Sequence, residues 1–428
     1  MKILWFSLSP CGSIRRFKQE RIIQGWMISM EDELKKIPQI NLNVAYISDI
    51  IEDSYFYNNV QYYPIYNPYK KTKIGHILER IAPYNYIDKK ILPQMIRIVK
   101  ECKPDLIHIH GTEERFGLIA DYIKDIPIVY SIQGILSPYK EKYFSGIPQN
   151  KAERYESLID KIKFVSVYNA FKSFCFNSKR ELHFLKNAQF IIGRTFWDKY
   201  ITLAINPQRH YYIVNEILRS PFYKKEWKNS RPIGKKIILI STISGGIYKG
   251  FETILKTANI LKSFTEINFE WLVAGYDSYS KWVKISECFT GLKHQKLNIS
   301  LLGKLDSEKL SDYLCSSDIY CHVSHIENSP NSVCEAMLLG MPIVASYAGG
   351  TGSLLNNEKE GILVQDGDPY ILAGEIVRLT KDFDLALSLG KNARIKALIR
   401  HDKTNIIDEL ITSYKSIIDY TQNKKRNI

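Results

Sequence analysis

A chain of 428 residues exceeds the size at which one hydrophobic core usually keeps growing, so two domains are expected. With 45% hydrophobic and 24% charged residues, its composition excludes a disordered or fibrous chain. The net charge of +14 calls for an anionic partner or surface, and seven cysteines without a C-x-x-C pair argue against a disulfide framework or zinc site and for a reducing compartment, the cytosol.

Met1 to Leu8 reads as a first buried strand rather than a secretory signal, and no apolar run approaches the ~18 residues a membrane-spanning helix needs. Membrane attachment is therefore expected to be peripheral, at the inner face of the plasma membrane. The first strand ends in Ser9-Pro10-Cys11-Gly12-Ser13. The spacing of Ile22, Ile23, Trp26, Met27, Met30 and Leu34 then predicts a helix from about Arg21 to Lys36. Asn43 to Ile47 gives a second strand, the tyrosine-rich stretch from Tyr55 to Tyr69 fits no element, and helical periodicity returns from Lys90 to Glu101. Pro104 to Gly111 reads as a strand entering a glycine loop, followed by a helix near Phe116 to Lys124 and a strand, Pro127 to Ile132, that ends in Gln133-Gly134. Ser137 to Phe190 is mainly helical, and Phe190 to Thr195 is a strand turning at Gly193.

Arg219 to Gly234 carries Pro221, Pro232 and several charges and reads as a linker. The alternation restarts with a strand at Lys236 to Ser241, then strands at Phe269 to Gly275, Ile299 to Leu302, Ile319 to Val323 and Met341 to Ser346, with helices at Tyr370 to Thr380 and Asn405 to Tyr420. This pattern predicts an α/β protein of two doubly wound parallel-sheet, Rossmann-like domains facing a cleft. The first spans 1–218, the linker 219–234 and the second 235–404, with the helix at about 405–428 packing back on the first. The basic clusters Lys70-Lys71-Thr72-Lys73, Lys235-Lys236 and Lys424-Lys425-Arg426 are local rather than one block.

The densest chemistry lies in Glu327-Asn328-Ser329-Pro330-Asn331-Ser332-Val333-Cys334-Glu335. Ser329 is expected as the N-cap and Pro330 as the first residue of a helix that runs to Leu339 and stops at Gly340. Glu327 then lies on a loop and Glu335 on the second turn, beside a helix N-terminus that favours an anion.

These residues resemble family 4 of the GT-B glycosyltransferases, the large retaining class. Glu327 and Glu335 match its E-x7-E signature, and Glu335-Ala336-Met337-Leu338-Leu339-Gly340-Met341-Pro342-Ile343-Val344-Ala345-Ser346 resembles its E-A-M-x-x-G-x-P-V-V-A-S stretch. Gly349-Gly350, Gly361 to Val364 and Tyr248-Lys249-Gly250 continue the match. The first half is similar to a branch that builds bacterial surface polysaccharides, through Gly25-Trp26, His108-Ile109-His110-Gly111-Thr112-Glu113, Ser131 to Gly134 and Gly193-Arg194-Thr195. The resemblance implies that Glu327 and Lys249 are catalytic. It also implies that Glu335 binds ribose hydroxyls, that Ser329, Asn331, Ser332, Gly245 and Gly246 hold the donor phosphates, and that Leu305 lies on the base-reading loop. Gly12, His110 and Gln133 are expected to face the cleft from the first domain. Three positions depart from the family pattern: Ser244 stands where many members have an arginine, Gln133 where a histidine is common, and Ser353 where a glutamate often follows the double glycine.

The activity so implied is transfer of a hexose from a nucleotide-diphosphate sugar to a lipid-linked or growing glycan acceptor in bacterial capsule, O-antigen or exopolysaccharide synthesis. The resemblance implies that no metal or other cofactor is needed, and the chain agrees, with no D-x-D on a strand-ending loop flanked by other carboxylates and no His/Cys metal spacing. Expected partners are the nucleotide sugar, the acceptor and an anionic membrane surface, with no nucleic acid. The alternatives are a catalytically dead nucleotide-sugar-binding scaffold subunit and, further off, a nucleic-acid-binding protein that uses the positive charge directly.

Overall fold

The computed structural model describes residues 1–17, 25–70, 84–228 and 236–426. Eight strands form the first sheet: β1 (Lys2–Ser7), β2 (Asn41–Ser48), β3 (Tyr55–Tyr57), β4 (Val60–Tyr66), β5 (Leu106–His110), β6 (Ile128–Ser131), β7 (Phe190–Gly193) and β8 (His210–Ile213). Their order is β3-β4-β2-β1-β5-β6-β7-β8, parallel throughout except for β3 against β4. Six form the second: β9 (Ile237–Thr242), β10 (Phe269–Ala274), β11 (Ile299–Gly303), β12 (Ile319–His322), β13 (Ile343–Ser346) and β14 (Ile362–Val364), all parallel in the order β11-β10-β9-β12-β13-β14. Helices cover both faces of each sheet, so the central strands are buried on both sides and read as unbroken apolar runs: Ile3, Leu4, Trp5 and Phe6 of β1 are all fully buried.

Strand order reverses beside β1 in one sheet and beside β9 in the other. Crevices open at such switch points, beyond the carboxyl ends of the strands. The loops after β9 and β12 therefore meet the first domain across the cleft, which fixes where a ligand can sit.

Several elements differ from the sequence expectation. The tyrosine-rich stretch supplies β3, β4 and a short 3₁₀ turn, Pro68–Lys70, and Tyr46 and Tyr55 join their hydroxyls at 2.8 Å. β3 is a short edge strand, and β4, although mostly buried, is written largely in tyrosines around Pro64, so neither reads as a clear apolar run. The helix near Phe116 is a 3₁₀ helix, Arg115–Asp121. The first helix runs Trp26–Leu34, and the expected start at Arg21 to Gln24 lies outside the described residues. The stretch read as a linker begins as structure: Leu218, Phe222 and Trp227 are buried in the core of the second domain, around the helix Ser220–Lys224. The final helix, Lys403–Arg426, crosses to the first domain, where Ile406, Leu410, Tyr414 and Ile417 pack with Ile3, Trp5 and Met27. Trp5 Nε1 donates to the Tyr414 hydroxyl at 3.0 Å, a bond between the two ends of the chain.

Candidate active site

Between the domains lies a cavity of about 390 Å³. The second domain lines it with Thr242, Ser244, Lys249, Glu327, Ser329, Pro330, Asn331, Ser332 and Glu335, and Leu218 and Arg219 close its floor. Gly25, Trp26, Gln133 and Arg194 face it from the first domain.

Lys249 is aimed by its backbone. It ends a 3₁₀ turn, Ile247–Lys249, closed by Gly250 at φ 81°, where a Cβ would lie 2.1 Å from the Val323 carbonyl oxygen. Only glycine lets the β9 loop press so closely on the β12 loop. That approach brings the Lys249 ammonium into an ion pair with the Glu327 carboxylate. Burial pushes Glu327 up, but Lys249 and His322 outweigh it and hold the carboxyl at about 2. Glu327 is thus an anion at neutral pH and has no proton to give a leaving group.

Glu335 is buried and gripped by Arg219 through two parallel bonds of 2.7 Å. Burial raises its pKa and Arg219 draws it back. A fork of this kind fixes both planes and uses one lone pair of each carboxylate oxygen. Ser329, expected as the N-cap, is not one. Pro330 occupies the cap position of the helix Asn331–Leu339, and the Ser329 hydroxyl instead donates to Glu216 at 2.9 Å. A side-chain cap is therefore missing, and the amides of Asn331 and Ser332, first in the helix, have no partner within it. The Asn331 side-chain oxygen is also buried without a partner among the described residues. Glu216 is pushed up by burial, yet Arg194, His401 and Arg400 hold it at about 2.

The first-domain wall is assembled differently. Arg194 reaches Glu216 at 3.4 Å and stacks on Trp26, 4.3 Å from the ring centre. Asn328 ties the walls together, accepting from the Thr195 hydroxyl at 2.6 Å and donating to Asp198 at 2.9 Å. Gln133 lines the cavity as expected, but two neighbours do not. Gly12 donates its amide to the buried Glu31 at 2.9 Å, and a Cβ there would sit 2.1 Å from that carboxylate, so Gly12 makes room for Glu31 rather than for a ligand. His110 is buried between Trp5 and His108, one ring behind Trp26, and burial keeps its pKa well below the usual value. His108 is a packed histidine bonded to Tyr414 and Ser131.

In the second domain, Gly245 and Gly246 turn their carbonyls to the Tyr276 hydroxyl and do not line the cavity, and Leu305 packs against the domain core. Asp366 and Asp368 do form a D-x-D after β14. However, Asp366 faces His325 at 3.5 Å and Asp368 caps the helix Pro369–Lys381, so both carboxylates are committed. Trp26, Arg194, Leu218, Arg219 and Thr242 line the cavity without a site role read from the sequence, and Glu216 stands behind Ser329 and Arg194. Arg219 stands in a stretch that reads as linker, and nothing in the local pattern marks it as Glu335's partner.

The comparisons fit this geometry. Residues 223–396 match the family model described as glycosyl transferases group 1. The second domain matches that family, and the chain as a whole has the GT-B fold. It is 25% identical over 326 residues to a Campylobacter jejuni enzyme, N,N'-diacetylbacillosaminyl-diphospho-undecaprenol alpha-1,3-N-acetylgalactosaminyltransferase, covering 76% of this chain and 80% of that one. Among solved structures, a sucrose-phosphate synthase from Thermosynechococcus elongatus superimposes with a TM-score of 0.69 at 15% identity, covering 98% of this chain and 100% of that one. Anabaena HepE, solved with UDP and glucose, gives 0.64 at 17% identity over 97% and 100%. At these identities the two structures speak to the fold, and the architecture expected from strand–helix alternation is the one they share with this chain.

Proposed function

We propose that this protein is a retaining glycosyltransferase of family 4 that moves a hexose from a nucleotide-diphosphate sugar to a lipid-linked or growing glycan in bacterial surface-polysaccharide assembly. The carrying observation is the convergence of Lys249, Glu327, Ser329, Asn331, Ser332 and Glu335 on one interdomain cavity. The names of relatives support the acceptor class: the Campylobacter enzyme is named for a diphospho-undecaprenol substrate, and an Erwinia amylovora relative for amylovoran biosynthesis.

In this reading the donor diphosphate lies against the helix N-terminus and Lys249, with Arg219 and Arg194 supplying the charge that Ser244 cannot. A helix end contributes ~0.3–2 kcal/mol to holding an anion and each charge-assisted hydrogen bond ~1.5–3, so a few such contacts suffice. Glu335 accepts from the ribose hydroxyls with the lone pairs that Arg219 leaves unused. As negative charge builds on the departing phosphate, Lys249 turns from Glu327 towards it. The freed carboxylate of Glu327, fixed as an anion, then faces the positive character developing at the anomeric carbon. The leaving phosphate oxygen takes the acceptor's proton on the same face, which retains configuration. These four cationic or amide groups stand where a metal would otherwise neutralise the diphosphate.

A thermal-shift screen of UDP, GDP, ADP and CDP should reveal stabilisation by at least one of them. With the matching sugar nucleotide, turnover should survive EDTA within about twofold and give product with the donor's anomeric configuration. Silence across the panel refutes the reading.

A further inference from the structure

We propose that His322 is a positioning residue for the transfer step: it receives the Glu327 carboxylate when Lys249 leaves that carboxylate for the departing phosphate. His322 ends β12, a strand written Ile319-Tyr320-Cys321-His322 and buried throughout. Alternation along the strand sends Ile319, Cys321 and, just past its end, Val323 into one core cluster. Tyr320 goes into the other, with Val333, Ala336 and Met337 of the helix Asn331–Leu339. His322 shares the face of Tyr320, so an imidazole stands behind the second-domain wall of the cleft, where packing alone calls for an aliphatic side chain. Its backbone is fixed by pairing with Ala345 on β13 and by the Ser346 hydroxyl, which donates to the His322 carbonyl at 3.3 Å.

Two donors converge on one oxygen of Glu327. Lys249 Nζ is bonded to Oε1, and His322 Nε2 faces the same Oε1 across 3.8 Å, one short step beyond hydrogen-bond reach. The other oxygen, Oε2, has no partner among the described residues and is left for the cavity that Glu327 lines. His108 shows how a packed histidine is held in this chain, bonded through both nitrogens to Tyr414 and Ser131. His322 is not pinned in this way. Its Nδ1 is buried without a partner among the described residues, so the pairing with Glu327 is the polar contact that its ring makes there.

The inference rests on the reading that Glu327 faces the transferred sugar. Lys249 cannot follow the phosphate without leaving behind a carboxylate that burial pushes towards its neutral form, and it is Lys249 and His322 together that oppose burial. A neutral acid at that point offers no negative charge to the anomeric carbon. Once Lys249 has turned away, Oε1 is free to close the short remaining distance to the Nε2 proton, and Glu327 stays an anion through the step. A neutral imidazole protonated on Nε2 suffices, so no proton is transferred.

Substitutions that copy one ring nitrogen at a time test this in the full chain. Glutamine places an amide N–H near the position of Nε2, and asparagine places one near that of Nδ1. With the nucleotide sugar that the wild type turns over, His322→Leu should lower kcat about 10–100-fold, with donor KM and the nucleotide-induced thermal shift kept within about twofold. His322→Gln should restore kcat to within about threefold of wild type, and His322→Asn should not. Equal losses in the Gln and Asn variants, or a fall in donor affinity as large as that in kcat, overturn the proposal and leave His322 a packing residue. A second measurement needs no turnover. In chemical denaturation of a Lys249→Met background, His322→Leu and Glu327→Ala together should cost about tenfold less in the unfolding equilibrium constant than the sum of their single effects predicts, and the shortfall should shrink with Lys249 in place. Additive costs in that background overturn the proposal. Coupling there, with no nucleotide sugar turned over by the wild type, upholds the pairing and refutes the proposed function instead.

Discussion

The two walls of the cleft are built on opposite plans. The second-domain wall packs its chemistry into nine consecutive residues and one glycine-tightened loop, and it presents Glu327 and Glu335 each paired with a cation. The first-domain wall gathers Trp26, Gln133 and Arg194 from three separate connections and keeps two carboxylates out of sight behind them. Glu113 accepts the Gly134 amide at 2.9 Å and Glu181 accepts the Leu136 amide at 2.7 Å, and burial pushes them to about 7 and about 8. Glu327 and Glu216 are therefore held firmly ionised at the cleft, while Glu113 and Glu181 behind the first-domain wall stay close to neutral. The contrast teaches that burial raises every one of these acids and that Glu327 is held low because Lys249 and His322 together outweigh it, whereas at Glu335 burial still prevails over Arg219.

The sharpest way to break that contrast is to remove the depressed acid that lines the cavity, Glu327. Glu327→Ala should lower turnover by about 10²–10³ while nucleotide affinity changes far less, since the carboxylate acts where charge develops. Equal losses in binding and turnover would assign Glu327 to ground-state holding. Next in size, Arg219→Ala strands the Glu335 carboxylate in a buried site. It should cost about 3 kcal/mol in stability, at the low end for such pairs because Arg219 is 19% exposed, as chemical denaturation would read.

The pH profile separates the two groups of acids directly. Glu327 and Glu216, held at about 2 against an ordinary 4.5, add stability that is present above about pH 4.5 and is lost as the pH falls towards about 2. Glu113 and Glu181 run the other way. Their burial costs nothing below about pH 4.5, and stability declines as the pH rises through about 7 and about 8. The unfolding midpoint should therefore peak on the mildly acidic side, and Glu113→Gln should remove part of its fall between pH 5 and pH 8; a flat curve over that span contradicts the assignment. The smallest effect belongs to Gln133→Ala. It should raise the acceptor KM about fivefold, the worth of one neutral hydrogen bond, with donor affinity unchanged.

What could be read ahead of the structure follows the same division. Strand–helix alternation located both sheets, because parallel strands buried on two faces are written as short apolar runs. The segment Glu327 to Glu335 was legible because its partners lie within nine residues of one another, where a loop and a helix start dictate local geometry. Even there the cap was misjudged: Ser329 has the right chemistry for an N-cap, but the buried Glu216 competes for its hydroxyl. Gly12 and His110 were misplaced for a related reason. Both sit at the carboxyl ends of central strands, where ligands gather, yet Glu31 and Trp5 fill the space beside them.

The sequence by itself determined the class of fold, the two-domain plan and the segment Glu327 to Glu335, all of which depend on contacts near in the chain. Tertiary structure alone decided which cations hold the carboxylates. Arg219 lies 116 residues from Glu335, and Lys249 lies 78 from Glu327. It also decided that the last helix anchors the first domain through Tyr414, 409 residues from Trp5. Pairings at such distances depend on how whole sheets pack across a cleft, and charge placed along a chain carries no record of the partner it will meet.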